Sequence, residues 1–429
     1  MQPMSNALDL VFRQVILPGH HKPLDVGVAS GRIAAIAPRI VADAPEIAIG
    51  GRAVLPGLVD SHVHLDKACL LGRCGHVHGG LGEAIAAVAA MKRDFSVEDV
   101  YERGTRVIEK AIAKGTTRMR THVEVDPRAG LRGFEAIKAL KADYAWGLEL
   151  SICVFPQEGL TNDPGTEDLL VAALRDGADL LGGCPYTDSA PRSQIARLFE
   201  LAEQFDVDLD IHLDFDLDPS WMLLDDVCRQ VELHKYQGRT TIGHVTKLSM
   251  VEPTILARIG QQLAAAGVAV TVLPATDLYL MGREASHATP RGLTPAHRLV
   301  EQGVVCSVAT NNVLNPFTPF GDGSLIRMAN FFANVAQVGP DGFQGCLDLI
   351  TTLPARLMNL TDYGIAIGNP ADLIVLDAQT GSDALAEIAE PIMGFKNGRQ
   401  TFEHPSATLF PAEPDREPHP RRARHDSNV

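Results

Sequence analysis

The sequence predicts an α/β protein: a (β/α)8 barrel flanked by a small β-sandwich built from both ends of the chain. Three observations predict it. Eight short apolar or β-branched runs follow one another from about residue 53, and helix-period segments separate most of them. Residues 7–52 and 364–404 instead hold short alternating runs around turns. Strand–helix alternation calls for a parallel sheet, because parallel neighbours need a crossover connection. An open doubly wound sheet is the alternative. It should carry a glycine-rich phosphate turn after its first strand, and the sequence has none there.

The elements follow in chain order. "AVLPGLVDSHVH" opens the barrel at Ala53, and "TTRMRTHVEV" gives its second strand. "WGLELSICVFP", "ADLLGGCP", "DLDIHLDF", "TTIGHVT", "VAVTVLP" and "VVCSVATNN" give strands three to eight. Between them, "SVEDVYERGTRVIEKAIAKG", "SQIARLFELAEQF" and "MVEPTILARIGQQLAAAG" repeat apolar residues at helical spacing, the stripe of a helix with one buried face. "ASGRIAAIAP", "GIAIGNPADLIVLDA" and "PIMGFKNGRQTF" are sandwich strands. The expected boundaries are residues 1–56 with 361–404 for the sandwich and 57–360 for the TIM-like barrel. Residues 405–429, Pro-rich and charged, are expected to form a disordered tail.

Composition narrows the function. The 429 residues, 45% hydrophobic, suffice for one large core and a satellite. A net charge of −15 repels phosphate backbones and anionic lipid, so no nucleic acid and no membrane is expected as a partner. No apolar run reaches 18 residues, and "MQPMSNALDLVFRQV" lacks a signal-peptide core. The seven cysteines include no CxxC, the usage of a reducing cytosol, and a cytoplasmic protein is expected.

In such barrels chemistry sits at the C-terminal ends of the strands. Five of the 15 histidines fall at the expected strand ends: His62, His64, His122, His212 and His244. His62 and His64 alternate with Val63, so both rings leave one face of strand one. With His212 from strand five they form three nitrogen ligands for one divalent metal ion, zinc or iron, which would activate water. His244 is placed to orient a water or a substrate oxygen. The same rule brings forward Gln157, Tyr186, Asp188, Asp214, Asp216, Asp277, Asn311 and Asn312. The HxH of "GHVHGG", Gly75–Gly80, follows the strand in a glycine-rich stretch and is expected to be a mouth loop, not a second metal site.

"LPGLVDSHVHLDK", "GTTRMRTHVEVDP", "VFPQEGL", "DIHLDFD", "TIGHVTKLS", "VTVLPATDLYLMGR" and "TNNVLNPFTPFGDGSL" resemble the cytosine deaminase branch of the amidohydrolase superfamily, which includes N-isopropylammelide amidohydrolase. The resemblance runs from about residue 10 to 404. It implies a metal-dependent hydrolase of a C–N bond in a small cyclic amide or amidine. It implies His62, His64, His212 and the strand-eight position, here Asn311, as metal ligands, and His244 as the catalytic histidine. Gln157 matches a glutamine that hydrogen-bonds the ring, and Lys67 matches a lysine of triazine-type members. Relatives commonly associate, so a homo-oligomer is admitted.

Two positions depart from this pattern. Asn311, followed by Asn312, stands where the resemblance calls for an aspartate that takes the water's proton. Phe215, between Asp214 and Asp216, stands where it calls for a glutamate that protonates the ring. Neither an amide nor a phenyl ring can do that work. Asp214, Asp216 or His244 would then move the protons, in a site with no protein anion to offset the metal. Phe215, with Tyr186 and Phe317, favours a larger or more apolar substrate, with Asp188 and Asn312 also at the expected binding surface. The alternative is a catalytically altered or inactive barrel that binds a small molecule.

Overall fold

The computed structural model describes residues 7–74, 79–405 and 407–410. Eight parallel strands run in chain order around one sheet. They are Leu58–Val63, Thr116–Glu124, Glu149–Phe155, Leu180–Gly183, Asp208–Leu213, Thr240–His244, Val268–Val272 and Cys306–Val308, strands one to eight below. Each lies within the run expected for it. Asn311, just past strand eight, closes the ring onto strand one. Its N–H donates to His62 O at 2.9 Å, and its carbonyl accepts from His64 N at 2.8 Å.

The strands are buried along most of their length because helices cover the sheet from outside. Strand seven, "VAVTV", is buried at every residue. The helix Val97–Ala113 shows how its cover is built. Val100, Val107, Ile108 and Ala111 share its buried face. Ser96 caps it by accepting from Asp99 N at 3.1 Å, a contact that contributes about 1 kcal/mol. Gly115, at φ 91°, then turns the chain into strand two, a conformation a β-carbon would disfavour.

Two four-stranded sheets form the flanking sandwich. One contains Leu10–Val15, Leu24–Ala29, Arg32–Ala37 and Glu46–Ala48. The other pairs Val54–Pro56 with Leu373–Leu376, Pro391–Lys396 and Arg399–Glu403, so both chain ends contribute. Phe12, Val26, Val28, Leu373, Val375 and Phe395 make a core of their own between the sheets. Asp372 ties this sandwich to the barrel by accepting from Arg118 of strand two at 2.6 Å. The expected tail falls outside the described residues except for 405 and 407–410, and so do residues 75–78 of the glycine-rich loop.

Candidate metal centre

Strand one presents His62, and the next outward position presents His64; Val63 between them packs into the barrel core. Strand five presents His212. The three Nε2 atoms converge: His62 to His212 is 3.1 Å, and His212 to His64 is 3.2 Å. Burial, reinforced by the neighbouring imidazoles and, for His64 and His212, by Lys67, holds all three well below the ordinary histidine pKa, so they are neutral. Neutral rings crowded nitrogen to nitrogen suit a cation between them. The Asn311 amide, 1% exposed, has no hydrogen-bond partner for either of its polar atoms among the described residues. A buried orphan amide held by its backbone against both strand-one histidines fits the same ion. The residues present therefore form a metal-binding group.

Beneath these ligands lies a carboxylate. Asp210 precedes His212 by two residues, so both side chains leave the same face of strand five. Its Oδ1 is 3.9 Å from His62 Nδ1 and 3.5 Å from His122 Nε2, and Arg120 donates to its Oδ2 at 2.7 Å. Burial raises the Asp210 pKa, but His122 and Arg120 outweigh it and hold the group below its ordinary value. A carboxylate thus lies one layer behind the three imidazoles, ion-paired with Arg120. His122 is no ligand in this trio. It stacks on His62 with ring centroids 3.7 Å apart.

His244 ends strand six at φ 68°. Its Nδ1 lies 2.6 Å from Asp277 Oδ1, on the first turn of the helix Pro274–Leu280. Burial pushes the Asp277 pKa up, against the pull of His244. Phe215 stacks flat on His244, centroids 3.7 Å apart. The ring is thus clamped edge and face, and its centroid lies 5.6 Å from that of His212. Phe215 and Phe317 join Leu70, Leu280 and Met281 in one apolar cluster, with Tyr186 packed against it.

Opposite lies a polar group. Lys67 is 1% exposed, which rules out a solvated loop lysine. Its Nζ donates to Glu124 Oε1 at 2.7 Å and to Gln157 Oε1 at 2.9 Å. It also sits 4.5 Å from the centre of the Phe317 ring. The Gln157 amide donates to Cys184 Sγ at 3.3 Å.

Other expected residues are placed elsewhere. Asp188 is corrected from substrate contact to loop staple. It accepts from Leu160 N, Thr161 N, Thr161 Oγ1, Ala190 N and Gln194 Nε2, more donors than a carboxylate has lone pairs. Asp214 turns at φ 48° and accepts from Leu223 N at 3.0 Å; burial pushes its pKa up to about 6. Asp216, with a half-exposed side chain, pairs with Lys247 at 3.1 Å. Neither aspartate is hydrogen-bonded to a site histidine among the described residues. Asn312 accepts from Asn315 Nδ2 at 2.7 Å, and Asn315 donates to Lys67 O at 3.1 Å, which supports the lysine from behind. Sequence reasoning passed over Asp210 and Glu124 and left Asp277 without a role.

A (β/α)8 barrel whose mouth gathers three neutral imidazoles beside a carboxylate-held histidine defines a metal-dependent hydrolase. The chain belongs to the amidohydrolase family, whose model matches residues 96–402. It is 28% identical to a pterin deaminase of Rhizobium rhizogenes over 369 residues, 84% of each chain. It is 27% identical to the N-isopropylammelide isopropyl amidohydrolase of Pseudomonas sp. strain ADP over 416 residues, 92% of this chain and 98% of that one. The crystal structure of 5-methylcytosine deaminase from Klebsiella pneumoniae liganded with 5-fluorocytosine superposes with a TM-score of 0.89 at 27% identity. That match covers 93% of this chain and 99% of the other. The protein is therefore a hydrolase of C–N bonds other than peptide bonds. Among the described residues no helix is long and apolar enough to cross a membrane.

Proposed function

We propose that the protein hydrolyses an exocyclic or ring C–N bond of a small oxo- or amino-substituted nitrogen heterocycle, of the pyrimidine, triazine or pterin kind. The observation that carries this is the convergence of the His62, His64 and His212 Nε2 atoms next to the His244–Asp277 pair. The relatives named above act on such rings, which supports the same class here. An all-nitrogen trio with an amide oxygen at hand and no thiolate ligand suits zinc or iron(II). Such an ion would supply Lewis acidity and an acidified water.

The remaining work falls to the chain's own side chains. Asp277 holds the His244 Nδ1–H, so Nε2 is the free nitrogen that accepts a proton and returns it to the departing nitrogen. Lys67 and Gln157 orient the ring through an oxygen and an N–H. Phe215, Phe317 and Leu280 exclude water and seat an apolar ring face. The inactive-barrel alternative is not favoured, because the ligands, their carboxylate and His244 are all arranged together. All seven cysteines are free, which supports work in a reducing compartment.

The test is elemental analysis of the purified chain followed by incubation with a panel of oxo- and amino-substituted pyrimidines, triazines and pterins. Release of ammonia or an alkylamine from at least one ring, abolished by chelation and restored by zinc or iron, is expected. A metal-replete chain that turns over no ring would overturn the substrate class.

A further inference from the structure

Lys92 is one of several buried cations that the proposed mechanism leaves unused. It opens a short 3-10 turn, Lys92–Asp94, directly after the helix Leu81–Met91. It is 1% exposed, although no barrel strand carries it. Its ammonium donates to Glu124 Oε2 at 2.9 Å, to Glu158 Oε2 at 2.5 Å and to Asp126. Those three carboxylates have oxygens within 4.8 Å of one another, a crowding that a cation or a shared proton relieves.

Glu124 links this group to the substrate pocket. One of its oxygens faces Lys92 and the other faces Lys67, which in turn holds Gln157. Asp66 fixes the backbone on both sides, accepting from Glu124 N at 2.8 Å and from Lys67 N at 2.9 Å. The carboxylate plane of Glu124 is therefore held at both ends by ammonium groups. Without Lys92, Arg128 remains 4.0 Å from Glu158, and Lys67 is the cation left on Glu124. Its attraction to that carboxylate would compete with its contact to Gln157.

The geometry points to Lys92 as a positioning residue: by holding Glu124, Asp126 and Glu158 together it keeps Lys67 directed at the substrate ring. This rests on the proposed function only for the word substrate; the lysine–carboxylate–lysine bridge stands without it.

The test uses the full chain, labelled with 15N at the lysine side chains. The Lys67 and Lys92 ammonium signals are identified by their loss in Lys67→Met and Lys92→Met. In Lys92→Met the Lys67 signal is expected to shift and to exchange with solvent about tenfold faster, having lost a fixed charged partner. On whichever ring of the panel is turned over, Lys92→Met is expected to raise KM about tenfold with a smaller change in kcat, and metal content should hold. In the Lys67→Met background the same substitution should add nothing, because its effect passes through Lys67. Lys92→Arg should restore part of the KM loss. An unmoved Lys67 signal in a folded Lys92→Met protein, or additive losses in the double variant, would show that Lys92 only anchors its segment. Should Lys92→Met not fold, Lys92→Arg keeps the charge while moving the nitrogens, and it must still shift the Lys67 signal. If no ring is turned over, the proposed substrate class fails while the spectroscopic result still decides the role of Lys92.

Discussion

His244 and Asp277 share a 2.6 Å hydrogen bond between the ends of strands six and seven, and it engages Nδ1 of the ring and not Nε2. A carboxylate at Nδ1 keeps the proton there and leaves Nε2 as a base. Asp277→Asn replaces that acceptor with an amide that can donate instead. It should lower kcat about 100-fold or more, with KM changed far less and metal content unchanged. Steady-state kinetics on the turned-over ring check this; an unaltered kcat would remove Asp277 from the account.

Asn311 joins the strand-one histidines through its backbone while its amide has no hydrogen-bond partner among the described residues. Asn311→Asp puts a carboxylate at that position without altering the bridge to His62 and His64. Chelator competition should show tighter metal retention, by roughly tenfold for one added charge–metal contact. If retention is unchanged, the side chain does not reach the ion. If turnover of the natural ring falls while retention rises, the asparagine is specialised for that ring's chemistry.

Gln157 receives Lys67 on its oxygen and donates from its amide to Cys184. Gln157→Leu should raise KM more than it lowers kcat, a loss of about 1–3 kcal/mol from an unpaired buried partner. An unchanged KM would place the ring elsewhere.

The barrel was legible because strand–helix alternation is written residue by residue into the apolar pattern, and all eight strands lie inside the runs that suggested them. The histidines were legible because alternation places His62 and His64 on one face. Asp210 could have been found by the same rule, since it stands two residues before His212 on strand five. Asp216 shows where the rule stops. The chain leaves strand five through Asp214 at φ 48°, so alternation ends there and Asp216 turns outward to Lys247. Asp188 satisfied the strand-end rule, yet five local donors claim it, a tally no spacing in the sequence reveals. Lys92 lay beyond reach for a different reason. It approaches Glu124 from outside the strands, and only tertiary docking brings the two together.

The buried histidines also predict a pH profile for the metal-stripped protein. Burial lowers the pKa of His62, His64, His212 and His122. As pH falls through about 6.5 the unfolded chain binds protons that the folded imidazoles refuse, so stability is lost. Burial pushes Asp60, Asp66 and Asp214 up to about 6 and Glu158 up to about 7. Glu158 takes up its proton in the folded state from about pH 7 and the three aspartates from about pH 6, which offsets part of this loss. Thermal unfolding should show Tm falling as pH drops from about 7 towards 5. A Tm that rises as pH falls from neutrality would contradict the burial of these rings as neutral groups.

The most direct measurement is the metal content of four purified chains: wild type, His62→Ala, His212→Ala and His244→Ala. The three-imidazole centre predicts about one zinc or iron per chain in the wild type and in His244→Ala, and little in the other two. Circular dichroism should show all four folded, because the ligands sit at the barrel mouth and not in its packed interior. Full metal occupancy in both His62→Ala and His212→Ala would contradict the account.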